Sequence, residues 1–325
     1  MKRHSERGAA LITVLLLVAV MAALIAVSFD RLGLALNRER NRSIAEEVRL
    51  DLFSAEAVAV QRVTQLQSFD PARTPGGSDW QDVPVTAPIP GGVISARLAD
   101  GGNCFNLNAL VTRLPDGKFV AQPGAIAQFT RLLEVSGVPS ATATSIATAT
   151  SDWIDSDTLS QPSGAEDEAY AGRSPPYRTA NDLMHDAGEI RAVTGMTDAL
   201  FGQVKPLICA LPETDLPGYN VNTLTARQAP LVAALYPSGV STEAVLSALR
   251  NRPAKGFAAA QDFWSQPSLK SADASGLATT QLRLRSSWFR LSLMAQVGDS
   301  EFEEAALIDG RFLPARVVRR TLGEE

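Results

Sequence analysis

Histidine is nearly absent from this sequence, with only His4 and His185 in 325 residues. That removes His-based catalytic triads and His-ligated metal sites. Cysteine is as scarce, Cys104 and Cys209 being the whole complement, which excludes zinc ribbons and CxxC redox chemistry. A basic excess is missing too. The formal net charge is −5, and no half of the chain offers the cations that phosphate contacts need, so no nucleic-acid partner is expected. Neither a P-loop, a GxGxxG after a strand nor a GxSxG motif occurs. A mean hydropathy of +0.01 excludes a polytopic membrane protein. What remains points to a binding or structural protein and not to an enzyme.

The strongest positive signal is at the start. Met1 to Gly8 is short and polar, with Lys2, Arg3 and Arg7 against Glu6, and Ala9 to Phe29 is an unbroken run of 21 uncharged residues. At 1.5 Å per helical residue such a run spans a hydrocarbon core of roughly 30 Å. Arg38, Arg40 and Arg42 beyond it blunt the charge asymmetry that would orient it. A cleaved secretory signal would explain the basic start, with Ala26-Val27-Ser28 as a small-residue cut site. The run is longer than the usual ~7–15 residues of such signals, however. A plain signal anchor is a second reading. No proline occurs before Pro71, and Ile44, Val48, Leu52, Ala55 and Val58 recur at helical spacing among charges. The pattern predicts a helix continuing from the apolar segment to about Gln67 as an amphipathic stretch over 30–67, loosened at Gly33.

The junction Arg7-Gly8-Ala9-Ala10-Leu11-Ile12-Thr13 resembles the leader of type IV pilins and type II secretion pseudopilins. The resemblance implies removal of residues 1–8 by prepilin peptidase, a cut between Gly8 and Ala9, and methylation of Ala9. It also implies a single-pass inner-membrane anchor over 9–29 with the bulk of the chain in the periplasm. Most members of that family carry Glu at the fifth mature position; here it is Thr13. The glutamate compensates the buried terminal amine of a neighbouring subunit, a charge otherwise expensive to bury. A subunit without it suits the end of an assembly better than its shaft. Leader, missing glutamate and size together resemble the minor pseudopilin protein K family.

Further along, Pro71 to Pro90 reads as a linker, Val93 to Leu98 as a half-buried strand, and Cys104 to Asn108 as the strand returning after a turn at Asp100–Asn103. Short helices are predicted over 126–135, 140–153, 189–193, 199–211, 226–235 and 242–250. Strands are predicted over 288–297, 302–308 and 315–321. The expected class is α+β: a pilin-like N-terminal helix packed on a discontinuous antiparallel sheet (68–108 and 276–325) with an inserted α-helical domain (109–275). Phe105-Asn106-Leu107-Asn108-Ala109-Leu110 matches Tyr219-Asn220-Val221-Asn222-Thr223-Leu224, each followed by a helix, a Ser-Gly-Val and a second helix. This is a weak internal repeat whose Asn residues suit helix caps.

Carboxylates crowd one segment: Asp152, Asp155 and Asp157, then Glu166, Asp167 and Glu168. Such crowding needs either solvation or a cation, and calcium with its six to eight oxygen ligands tolerates irregular loops. With Asp155 as position 1, Asp157 and Glu166 fall at EF-hand positions 3 and 12, but Leu159 and Ser160 at positions 5 and 6 break the motif. The alternative is a helix end with a solvated acidic loop. The segments DWIDSD, GAEDEAY and PPYRTAN resemble the acidic loop of protein K, which implies calcium held by Asp155, Asp157, Glu166 and Asp167, with Asp152 and Asn181 as weaker candidates. Cys104 and Cys209 either form one disulfide in an oxidising periplasm or remain buried thiols; the periplasmic address favours the disulfide. The resemblance also implies minor pseudopilins I and J and other pseudopilins as partners, and a place at the tip of the pseudopilus. The rival reading is a signal-anchored periplasmic calcium-dependent binding protein or hydrolase.

Overall fold

The computed structural model describes residues 3–74, 76, 79–236, 239–270 and 276–323; the side chains of residues 3–9 and 277 lie outside those described. Two compact units divide the chain at Ser54 and Ala55. A single helix, α1 (Arg3–Phe69), contains all of the first unit's described residues and ends in the second. No proline interrupts it, and Gly33 does not break it. In the first unit the most apolar window has a mean hydropathy of 3.1 and none of it is buried. An uncovered surface of this kind requires lipid or protein around it.

In the second unit the end of α1 is amphipathic as predicted: Ala59, Val63 and Leu66 are buried at helical spacing. Polar side chains on the same stretch fix it in place. Gln67 donates to the Ser286 carbonyl at 2.6 Å and the Thr64 hydroxyl accepts from the Ala315 N–H at 3.0 Å.

The sheet is a five-stranded antiparallel meander of β1 (Val85–Ile89), β2 (Gly92–Asp100), β3 (Trp288–Val297), β4 (Ser300–Asp309) and β5 (Arg316–Leu322). Its two halves are separated in sequence, since β2 pairs directly with β3: Leu98 lies opposite Leu291 and Ile94 opposite Ala295. Along β3, Leu291, Leu293 and Ala295 are buried while Arg290, Ser292, Met294 and Gln296 are exposed. That is the period of two expected of a sheet with one covered face.

Three expectations need correction. Residues 85–89, read as linker, form edge strand β1, paired with β2 from Val85↔Ala96 to Ile89↔Gly92. Four of its five residues are exposed, so no apolar alternation marks it, and Pro88 is tolerated because an edge strand has a side without ladder bonds. Cys104–Asn108 does not return along β2, whose free side is taken by β3. Instead Phe105–Asn106 pairs in parallel with Ile208–Cys209 inside the helical body. The helix expected over 199–211 stops at Val204, because Pro206 turns the chain into a 3₁₀ segment and then that short strand.

The helical body lies between β2 and β3 in sequence. It contains α2 (Pro123–Val135), α3 (Ser140–Ile154), α4 (Asp167–Ala171), α5 (Asp198–Val204), α6 (Ala229–Ala233) and α7 (Thr242–Arg250). The two matching hexapeptides play matching roles. Tyr219–Asn220 also forms a two-residue parallel pair, with Leu282–Arg283. The helix pairs α2–α3 and α6–α7 follow the respective copies, and one core joins them, with Phe105 stacked on Phe129 at 4.9 Å.

Candidate metal centre

Helix α3 ends at Ile154 because the following acidic residues leave helical geometry: Asp155 is extended, its N–H still bonded to the Ser151 carbonyl at 2.9 Å. The loop then carries Asp157 outward and returns so that Glu166 precedes α4. Candidate ligand oxygens of Asp155, Asp157 and Glu166 lie within 4.8 Å of one another, Asp155 and Glu166 buried and Asp157 exposed. Asp155 Oδ1 and Glu166 Oε1 are buried with no hydrogen-bond donor, and so is Oδ1 of Asn181. Asn181 adopts a positive φ of 49° and donates its N–H to the Trp153 carbonyl at 3.0 Å, which ties it to the end of α3. Buried acceptors left without donors are rare in a folded protein and call for an ion or water.

The electrostatics agree with the geometry. Burial first, and then the charges of Asp157, Asp152 and Glu166, push the Asp155 carboxyl up to about 7. Burial and the Asp152 charge likewise raise Glu166. A divalent cation would reverse each like-charge contribution. The donor set is oxygen only, without His or Cys, and therefore fits a hard cation such as calcium.

The other two predicted carboxylates stand apart. Asp152 is fully buried and accepts from the Ala165 N–H at 2.8 Å and the Gln161 side-chain amide at 2.8 Å, closing the loop onto α3. Asp167 accepts from the Thr179 N–H and hydroxyl at 3.0 and 2.9 Å and faces Arg178 at 3.8 Å. Both brace the loop by hydrogen bonds. Two supporting residues escaped the sequence reading. The Thr179 hydroxyl, whose one proton points to Asp167, also lies 3.2 Å from Glu166 Oε2 and bridges the two carboxylates, and a Cβ at Gly164 would sit 2.0 Å from Asp152 Oδ2, so that position requires glycine. A Ser/Thr two residues before the flagged Asn181, and a Gly beside the acidic run, were the available signals.

At the other predicted positions, α1 runs through Gly8 and Ala9 without interruption. The Thr13 hydroxyl donates to the Ala10 carbonyl at 2.8 Å. Cys104 and Cys209 are disulfide-bonded, Cα atoms 5.7 Å apart.

Comparison with known proteins agrees with this architecture. Sequence models described as Type II secretion system (T2SS), protein K, match residues 103–213 and 219–285, and each match contains one of the two similar hexapeptides. The type II secretion system protein K of Pectobacterium carotovorum is 32% identical over 322 residues, covering 99% of this chain and 98% of its own. That of Aeromonas hydrophila is 33% identical over 324 residues, covering 98% and 97%. A chain in the crystal structure of the GspK–GspI–GspJ complex from enterotoxigenic Escherichia coli superposes with a TM-score of 0.77 at 30% identity. That match covers 89% of this chain and 100% of the other. The chain belongs to the type II secretion system protein K family.

Proposed function

We propose that this minor pseudopilin caps the tip of a type II secretion pseudopilus and helps to initiate its assembly for export of folded proteins. Prepilin peptidase removes residues 1–8, the segment from Ala9 to Phe29 anchors the chain in the inner membrane, and the rest lies in the periplasm. Minor pseudopilins I and J are its partners, a reading supported by the complex that holds the related GspK.

The carrying observation is Thr13. Its hydroxyl is bonded to its own helix at the Ala10 carbonyl, and it offers no carboxylate to neutralise the terminal amine of another subunit. A subunit with this residue, carrying a helical body as large as that between β2 and β3, fits an end and not a repeating position. Immunogold labelling of sheared pseudopili tests this: label is expected at one filament end, and label along the shaft overturns the reading.

Calcium is proposed as a structural ion held by Asp155, Asp157 and Glu166, with the Asn181 carbonyl oxygen as a further ligand. Asp152 and Asp167 hold the loop in shape around it. Trp153 stands at the end of α3 and packs edge-on against Tyr170 and Tyr177. Its fluorescence should therefore respond to calcium and not to equal magnesium, which demands a tighter octahedral shell. No response up to millimolar calcium would refute the ion.

A further inference from the structure

Two adjoining cavities of about 500 and 640 Å³ open on the side of the sheet that carries Arg97 of β2 and Arg290 and Ser292 of β3. They share Lys205, Pro206, Arg227 and Arg290 among their walls, and Arg97 lines the larger one. These four cations come from three parts of the chain: Arg97 and Arg290 from the sheet, Lys205 from the first repeat copy, Arg227 from the second. The register sets Arg97 opposite Ser292 and Arg290 opposite Ala99, so the two arginines are diagonal neighbours on the exposed side. All four side chains are exposed, and among the described residues none of them makes an ion pair or a side-chain hydrogen bond.

Cations of one sign brought together without partners repel one another, and the arrangement favours an incoming anion. The cleft is also firmly built. The Cys104–Cys209 disulfide forms part of the smaller cavity's wall, so the backbone on that side is cross-linked before anything binds. Ser95, Ser292 and Met294 give a mixed polar and apolar floor.

We propose that this cleft receives an acidic peptide segment of a partner protein, whose spaced carboxylates engage Arg97, Arg290, Lys205 and Arg227. A polyphosphate chain fits less well. Asp82 and Glu303 also line the cavities and oppose a dense polyanion more strongly than a chain of spaced single charges. Asp100 and Glu304 lie beneath, both buried, and Asp100 is bonded to the hydroxyls of Thr223 and Ser286.

The test uses the full chain in non-ionic detergent and a fluorescein-labelled peptide of alternating Glu and Ser, read by anisotropy. Binding is expected, weakened at least about tenfold by Arg97→Ser with Arg290→Ser, and weakened comparably by raising salt from about 50 to about 300 mM. Lys205→Ala with Arg227→Ala, the two cations that the helical body contributes, should weaken it in the same direction. All four side chains are exposed, so melting curves should match the unmodified protein and show that the loss is local. The proposal is overturned if the peptide fails to bind at millimolar concentration. Equal binding by both double variants, or tighter binding of a single-stranded oligonucleotide, overturns it too.

Discussion

Asn108 grips the backbone of Met184 from both sides: its Oδ1 accepts the Met184 N–H at 2.8 Å and its side-chain amide donates to the Met184 carbonyl at 2.9 Å. Asn222, the matching residue of the second copy, does the same to Phe257, at 2.7 and 3.1 Å. In each copy the preceding Asn accepts the N–H of the gripping one, Asn106 from Asn108 at 3.2 Å and Asn220 from Asn222 at 2.9 Å. The Asn-x-Asn motif therefore pins a distant loop to each half of the helical body by imitating a strand partner.

Asn108 and Asn222 are completely buried, so truncating either leaves backbone groups unsatisfied at about 1–3 kcal/mol each. Asn108→Ala and Asn222→Ala should each lower stability by roughly 3 kcal/mol, measured by urea unfolding in detergent. Asn108→Asp should be nearly as damaging, because a carboxylate cannot donate to the Met184 carbonyl. A loss below that of an exposed control such as Ser54→Ala would contradict the clamp.

Arg320 on β5 holds Glu56 of α1 through two nitrogens, at 2.5 and 2.7 Å. The glutamate is 6% exposed, so removing its partner strands a carboxylate in a poorly solvated place. Arg320→Ala should destabilise by about 1.5–3 kcal/mol, the range for hydrogen bonds to charged groups. Arg320→Lys should restore only part of this, since an ammonium lacks the two-pronged geometry. A double-mutant cycle with Glu56→Gln, read by thermal melting, isolates the pair.

The disulfide closes a loop of 105 residues. The chain-entropy model assigns about 4–5 kcal/mol to a loop of that length. Cys104→Ala with Cys209→Ala should lower the urea midpoint accordingly, and thiol labelling of the denatured, unreduced chain should find none free.

Features written in local pattern were legible in the sequence. The apolar run and helical spacing of α1, the alternation in β3 and the Asn-x-Asn hexapeptides each announce their structure from neighbouring residues. Strand β1 was not legible, because an edge strand with Val85, Thr86, Ala87 and Pro88 all exposed has no buried face to mark it. The Phe105–Asn106 strand was legible as a strand but not in its pairing, since its parallel partner lies about a hundred residues away. At the acidic loop, composition picked out the carboxylates but not their division of labour. Whether Asp152 turns inward to backbone donors or outward to an ion depends on where Gln161 and Ala165 fold back.

Gly164 makes that fold-back possible, and its replacement separates loop shape from ligand chemistry. A Cβ there would collide with Asp152 Oδ2, so Gly164→Ala must displace either the loop or the carboxylate. It should abolish the calcium response of Trp153 fluorescence while leaving every proposed ligand in the sequence. A normal response would show that the Asp152 bracing is dispensable.

The sharpest expectation concerns pH. Burial, and then the charges of Asp157, Asp152 and Glu166, raise the Asp155 carboxyl from 3.8 to about 7. A carboxyl with a folded pKa above its unfolded one binds its proton more tightly in the native state. Its protonation therefore stabilises the fold fully below about pH 4, and that contribution is lost as pH rises towards about 7. Without calcium, the melting temperature should fall between about pH 5 and pH 7.5 from this source. Asp155→Asn, which cannot ionise, should flatten that slope in chelator. In millimolar calcium the unmodified chain should regain stability most at the upper end, where Asp155 must be ionised to bind. A hundredfold excess over Kd contributes about 2.7 kcal/mol, and the asparagine variant should gain far less. If melting in chelator shows the same pH dependence with and without the Asp155 carboxyl, its proton is not coupled to folding. If calcium then leaves both curves unchanged, the three carboxylates are a solvated acidic surface and the structural ion is refuted.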